Sequence, residues 1–180
     1  MFVLLHHLHR LRRELALPAP ARRGSLALRH VDAGSCNACE HELTATTAPH
    51  YDLARHGLQI VASPRHADVL LVTGAVTTRM SGALRAAYDA MPEPRLVAAL
   101  GDCALGRNRI GDPHALAPPL EQILPVDLRI PGCPPTPETI AEHLRALLDR
   151  PRLQPHQPHE GTRRHVNPPP SAPAAGSQRR

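Results

Sequence analysis

The sequence predicts an α/β fold, an open parallel sheet flanked by helices. Short apolar runs of five to seven residues alternate with segments of helical period through the body of the chain. Apolar residues make up 42% and aromatics only 2%, so the core is aliphatic, built from Leu, Val, Ile and Ala. Three of the strand-like runs are each followed at once by a glycine and a cysteine. In an open parallel sheet ligands collect beyond the carboxyl ends of the strands. If those three strands are parallel neighbours, the cysteines meet at one edge.

The elements follow in order. Phe2, Leu4, Leu5, Leu8, Leu11 and Leu15 form an apolar stripe at helical spacing, with Arg10, Arg12 and Arg13 off it. The stripe suits a helix packed on a partner subunit, or one lying on a membrane surface. Pro18-Ala19-Pro20 ends it, so residues 1–24 are expected to be an amphipathic helix and linker. Ser25–Val31 reads as the first strand and Cys39–Ala48 as a short helix. Leu58–Ala62 and Asp68–Thr73 are the next strands. Arg79–Met91 reads as a helix with Met80, Leu84, Tyr88 and Met91 on one face. Arg95–Leu100 and Val126–Ile130 complete the strands. Thr136 suits an N-cap with Pro137 at the first helical position, and Ile140, Leu144, Leu147 and Leu148 carry that helix to Asp149. The folded domain is therefore expected over 25–150. Residues 151–180 hold seven prolines and little apolar periodicity, which predicts a disordered Pro/Arg-rich tail.

Charge divides the chain. Residues 1–30 hold six arginines and one acid, and residues 151–180 five arginines and one acid, whereas 31–150 hold ten arginines and fourteen acids. The body is mildly acidic, and Phe2, Tyr51 and Tyr88 are the only aromatics, so nucleic-acid binding is not expected. No apolar run reaches the roughly 20 residues of a membrane span. Met1–Leu5 is too short for a signal-peptide core, and no export signal is expected.

The four cysteines are Cys36, Cys39, Cys103 and Cys133. All four fit one site, which argues against disulfides and for a reducing compartment. Gly34, Gly101 and Gly132 allow sharp turns that expose backbone amides to anionic sulfurs. Cys39 opens a helix whose N-terminal amides also favour an anion. The Cys36-x-x-Cys39 pair alone is a weak signal, shared by zinc ribbons and redox dithiols. The other two thiols are single, each behind its own strand. On these residues an iron–sulfur cluster, a zinc ion and unrelated buried cysteines all remain open.

The flanking residues carry a resemblance. Val31-Asp32-Ala33-Gly34-Ser35-Cys36-Asn37-Ala38-Cys39-Glu40-His41-Glu42-Leu43 resembles the first cluster motif of the small electron-transfer subunit of membrane-bound nickel–iron hydrogenases of the formate-hydrogenlyase type. Ser63–Gly74, Met91–Arg95, Gly101-Asp102-Cys103 and Ile130–Pro135 continue the likeness in order, over residues 25–150. The same superfamily includes a respiratory complex I subunit that holds the last cluster before quinone. That version has two adjacent cysteines, the first of them where Ala38 stands here. The C-x-x-C spacing is the hydrogenase arrangement. One departure follows the third cysteine: Ala104–Pro113 replaces a Gly-rich, often aromatic stretch that faces the large subunit in relatives.

The resemblance implies a flavodoxin-like sheet with one 4Fe–4S cluster at the C-terminal edge of its strands, ligated by Cys36, Cys39, Cys103 and Cys133. It implies electron transfer beside a hydrogenase large subunit or its complex I homologue, with a ferredoxin-like electron-transfer subunit and integral membrane subunits as further partners. The chain would be cytoplasmic, peripheral on the inner face of the cell membrane. The complex I-like alternative passes electrons to quinone; a third reading, of another class, is a zinc-stabilised interaction module. Glu42 lies two residues beyond the usual first-motif acid and either tunes the cluster or is a solvated helix acid. Asp102 either supports the cluster or makes a turn. Arg79 and Met80 occupy the place of a basic residue and a methionine near quinone in complex I relatives, although Met80 also reads as core. None of the thirteen histidines has ligand spacing.

Overall fold

The computed structural model describes residues 24–107 and 113–149. The expected N-terminal helix, the Pro/Arg-rich tail and part of the divergent segment after Cys103 lie outside those residues.

Five strands form the sheet: β1 (Leu26–Asp32), β2 (Leu58–Ile60), β3 (Val69–Thr73), β4 (Leu96–Leu100) and β5 (Leu128–Ile130). All pairs are parallel, in the order β2-β1-β3-β4-β5. The helices are α1 (Ala38–Ala45), α2 (Thr78–Asp89), α3 (Leu120–Ile123) and α4 (Pro137–Ala146). This is the expected flavodoxin-like α/β architecture.

Side chains alternate across the sheet as strand geometry requires. Leu26, Leu28, Val69, Leu71, Leu96, Ala98 and Ile130 face one way and pack with Leu43 of α1 and with Ile140 and Leu144 of α4. Val31, Leu70, Val72, Val97 and Ala99 face the other way and pack with Leu84 and Tyr88 of α2 and Leu120 of α3. β3 and β4 are buried along their whole length. That double burial explains their unbroken apolar runs. Leu84, Leu71 and Leu100 are each 0% exposed. Burial of one such side chain contributes roughly 1.5–3 kcal/mol.

The element boundaries have local causes. α1 stops at Ala45, three residues short of the expected end. Thr44, Thr46 and Thr47 turn their hydroxyls back to the carbonyls of Glu40, Leu43 and Thr44 at 2.8, 2.6 and 2.7 Å. Such bonds compete with the helix, and Pro49 follows directly. α2 starts where Thr77 Oγ1 accepts from Met80 N at 3.3 Å. α4 starts at the expected cap, with Thr136 Oγ1 accepting from Thr139 N at 3.3 Å and Pro137 in the first turn. β5 begins at Leu128, after Asp127 has joined the sheet differently. Asp127 N donates to Val97 O at 2.8 Å, and Asp127 Oδ2 accepts from Val97 N at 2.8 Å. Asp68 does the same to Ala27 ahead of β3, both bonds at 2.8 Å.

Candidate metal centre

The register sets the site. Asp32 is level with Thr73, Thr73 with Leu100, and Leu100 with Ile130. The carboxyl ends of β1, β3, β4 and β5 therefore form one straight row. Cys36 follows that row by four residues, and Cys103 and Cys133 by three each. The chain passes from β1 outward to β2 and then back to β3 on the other side, so β1/β3 is the crevice where open α/β sheets bind ligands.

Each cysteine loop is shaped by its own chemistry. After β1, Asp32 Oδ1 accepts from Gly34 N and Ser35 N, both at 2.8 Å. Ser35 Oγ accepts from Asn37 N at 3.1 Å, and Asn37 takes a left-handed φ of 67° as it caps α1. Gly74 closes tightly on this loop, since a Cβ there would lie 2.5 Å from Ser35 N. After β4, Gly101 turns at φ 88°. A Cβ on Gly101 would meet Cys39 Sγ at 2.6 Å and Gly132 O at 3.5 Å. The sulfur of the first loop thus rests on the glycine of the second, which lies beside the glycine of the third.

Asp102 joins the last two loops. Its N–H donates to Gly132 O at 2.8 Å, and its Oδ1 accepts from Gly132 N at 3.2 Å. Arg107 sits on the same carboxylate at 3.5 Å. Both partners of this ion pair are solvent-accessible, so the hydrogen bonds matter more than the charge.

None of the four cysteines is in a disulfide. Cys36 and Cys133 are exposed, while Cys39 and Cys103 are half-buried. Burial first, then the Glu40 carboxylate and the charges of Cys103, Cys36 and Cys133, push the Cys39 thiol up to about 12. The other three cysteines therefore act on Cys39, whose thiol resists ionising without a cation. A metal centre removes that obstacle by displacing the protons. Among the described residues, no three His, Cys, Asp or Glu side chains gather closely enough to hold a single metal ion. A cluster of several irons would draw its ligands from separate thiols, which four cysteines on three loops could supply. The donor set and the glycine cradle fit such a group.

The remaining sequence candidates divide. Arg79 is exposed, and Met80 is half-buried against the core on the α2 side. Both lie in the first turn of α2, whose cap Thr77 would touch a Cβ on Gly34 at 2.6 Å. Glu42 is half-buried in α1, where its charge is felt by Tyr51. The carboxylate that reaches the sheet edge is that of Glu40, which sequence reasoning passed over. Thr73 Oγ1 donates to Glu40 Oε1, and His30 Nε2 lies 2.8 Å from Thr73 Oγ1. Thr73 is 0% exposed. Burial lowers the His30 pKa below its usual 6.5, outweighing the opposite pull of Glu40 and Asp32. The available signals were weak: a histidine and a threonine level with the motif on neighbouring strands.

Fold and loops together define an α/β protein whose four cysteines all lie in loops beyond the carboxyl edge of its sheet. Residues 36–147 match the family described as NADH ubiquinone oxidoreductase, 20 Kd subunit, and the chain belongs to that family. It is 42% identical over 121 residues to the probable membrane-bound hydrogenase subunit mbhJ of Pyrococcus furiosus, covering 67% of this chain and 72% of that one. It is 44% identical over 107 residues to formate hydrogenlyase subunit 7 of Escherichia coli, covering 59% of this chain and 42% of that longer one. It is 37% identical over 117 residues to the NADH-quinone oxidoreductase B subunit of Heliobacterium modesticaldum, covering 63% and 67%. Among solved structures, a chain of the membrane-bound sulfane sulfur reductase, an archaeal respiratory membrane complex, aligns with a TM-score of 0.60 and 30% identity, covering 72% of this chain and 73% of that one. A chain of the NAD+-reducing NiFe hydrogenase shares the fold, with a TM-score of 0.53 and 22% identity over 75% and 96% of the two chains. Among the described residues, no helix is long and apolar enough to cross a membrane.

Proposed function

We propose that this chain is the electron-transfer subunit of a membrane-bound nickel–iron hydrogenase complex, with Cys36, Cys39, Cys103 and Cys133 as ligands of one 4Fe–4S cluster. The observation that supports the reading best is the level row of strand ends, beyond which three loops carry the four cysteines, with Cys39 against Gly101 and acted on by the other three. When bound, the cluster supplies one-electron redox chemistry. The chain's own residues would hold the loops and half-bury Cys39. The partners are a large subunit carrying the metal that handles hydrogen, a ferredoxin-like subunit and integral membrane subunits, with this chain on the cytoplasmic face.

A second reading, a complex I-like subunit that passes electrons to quinone, is supported by the Heliobacterium relative and by Arg79 and Met80 in the first turn of α2, the helix whose cap Thr77 meets the first cysteine loop at Gly34. The two-residue spacing of Cys36 and Cys39 favours the hydrogenase reading. The test is anaerobic purification followed by iron and sulfide analysis and EPR. The reading expects four irons and four sulfides per chain, lost or converted in Cys36→Ser, Cys39→Ser, Cys103→Ser and Cys133→Ser. A colourless zinc protein, or unchanged iron in two of the four variants, refutes it.

A further inference from the structure

The polar chain His30–Thr73–Glu40 is not explained by the four ligands. It begins in β1, crosses the end of β3 and finishes on the residue directly after Cys39. The direction of the chain follows from proton count. Thr73 has one hydroxyl proton, and it goes to Glu40 Oε1. Thr73 Oγ1 can then only accept from His30, so His30 carries its proton on Nε2. The relay ends on a single carboxylate oxygen. The other, Glu40 Oε2, is buried and has no hydrogen-bond partner among the described residues. Leaving a buried carboxylate half-satisfied costs stability, and such groups mark sites where the charge has another use. The neighbouring Glu42 carries a charge on the same helix without being drawn under the loops.

We propose that Glu40 is a positioning residue whose anchored negative charge lowers the reduction potential of the group held at Cys39, with Thr73 and His30 fixing that charge in place. The proposal rests on the reading of the four cysteines as cluster ligands. The physical cause is electrostatic. Adding an electron beside a fixed, poorly solvated anion costs more than adding it beside a neutral group. Glu40 adds that anion from the first turn of α1, where the helix's own amides pull the other way. A carboxylate free to turn into water would be screened and would act weakly. Thr73 prevents this by holding it from the floor of the crevice.

The test uses the anaerobically purified full chain with its cluster. Iron and sulfide are measured first, and then the midpoint potential by EPR-monitored redox titration. Glu40→Gln keeps the shape and the oxygen that accepts from Thr73 but removes the charge. It is expected to retain wild-type iron and to shift the potential upward. Thr73→Val, which removes the hydroxyl at nearly constant volume, is expected to shift the potential the same way, and Thr73→Ser to restore the wild-type value. Wild-type iron with an unshifted Glu40→Gln potential overturns the inference alone, whether or not Thr73→Val folds. Thr73→Ser behaving like a folded Thr73→Val overturns the role of the hydroxyl. Wild-type protein lacking iron and sulfide overturns the ligand reading, and this inference with it.

Discussion

Gly101→Ala isolates the geometry on which the site depends. Gly101 sits at φ 88°, a conformation that an L-residue holds only under strain of about 1–3 kcal/mol. The added Cβ would also stand 2.6 Å from Cys39 Sγ, where carbon and sulfur need at least about 3.5 Å. The backbone on the other side gives little room, because Gly132 O is 3.5 Å away. Cys39 must therefore move by close to 1 Å, and the ligand role proposed for its thiolate tolerates no such displacement. Each 1 kcal/mol lost shifts Tm by roughly 3–6 °C in a domain of this size. The expected result is a Tm several degrees lower and a loss of most iron and sulfide. Gly82→Ala is the control. Gly82 lies on the exposed side of α2, and a Cβ added there would meet nothing within 4 Å, so alanine should stabilise by about 0.5–1 kcal/mol and leave iron unchanged. Thermal unfolding and iron analysis of both variants check the argument. Gly101→Ala with wild-type iron and Tm refutes it.

Asp102→Ala should lower iron content and speed its loss to a chelator, because the Gly132 N–H loses its acceptor. Asp102→Asn keeps that acceptor and should retain most of the iron. Equal loss in both variants would assign the role to the Arg107 ion pair instead. His30 adds a pH dependence. Its pKa is lowered in the folded protein, so between that value and the usual 6.5 the unfolded chain binds the extra proton. Stability should therefore be full above pH 6.5 and fall as pH drops through that window, with Glu40 and Asp32 opposing the effect and Arg29 reinforcing it. His30→Gln should flatten this part of the denaturation profile. An unchanged slope between the two proteins would exclude His30 as its source.

Much of this arrangement is legible in the sequence because its signals are local. Thr136-Pro137 specifies a helix start without help from the rest of the chain, and Gly101-Asp102-Cys103 ends a strand by its own chemistry. The face of Leu84, Tyr88 and Met91 is equally local, and all three are buried. What stayed hidden depends on register. Glu40 and Glu42 look alike as two acids on one helix. Only the pairing of Asp32 with Thr73 puts a buried hydroxyl beneath the first and not the second. His30 falls on a strand with nothing nearby in sequence to bind it. α3 is a single turn, too short to show a period, and its Leu120 is recognised as core only once it packs on the sheet.

The aspartates connect fold and site more closely than the strands alone do. Asp68 and Asp127 each give an N–H to a neighbouring strand's carbonyl and take that residue's N–H on a carboxylate oxygen. Both stand just ahead of a strand, at the amino edge of the sheet, where a parallel ladder would otherwise leave a donor and an acceptor unpaired. Asp102 repeats the same reciprocal pair with Gly132 at the carboxyl edge, beyond the last ladder bond from Gly101 N to Ile130 O at 2.8 Å. There the clasp does more than satisfy backbone groups. It carries β4 and β5 past their ends in register, so that Cys103 and Cys133 leave the sheet one residue after a fixed contact. Two single thiols on separate loops thereby gain the rigidity that Cys39 has from the first turn of α1. Removing the clasp at Asp68 should cost folding stability alone. Removing it at Asp102 should cost the proposed cluster first.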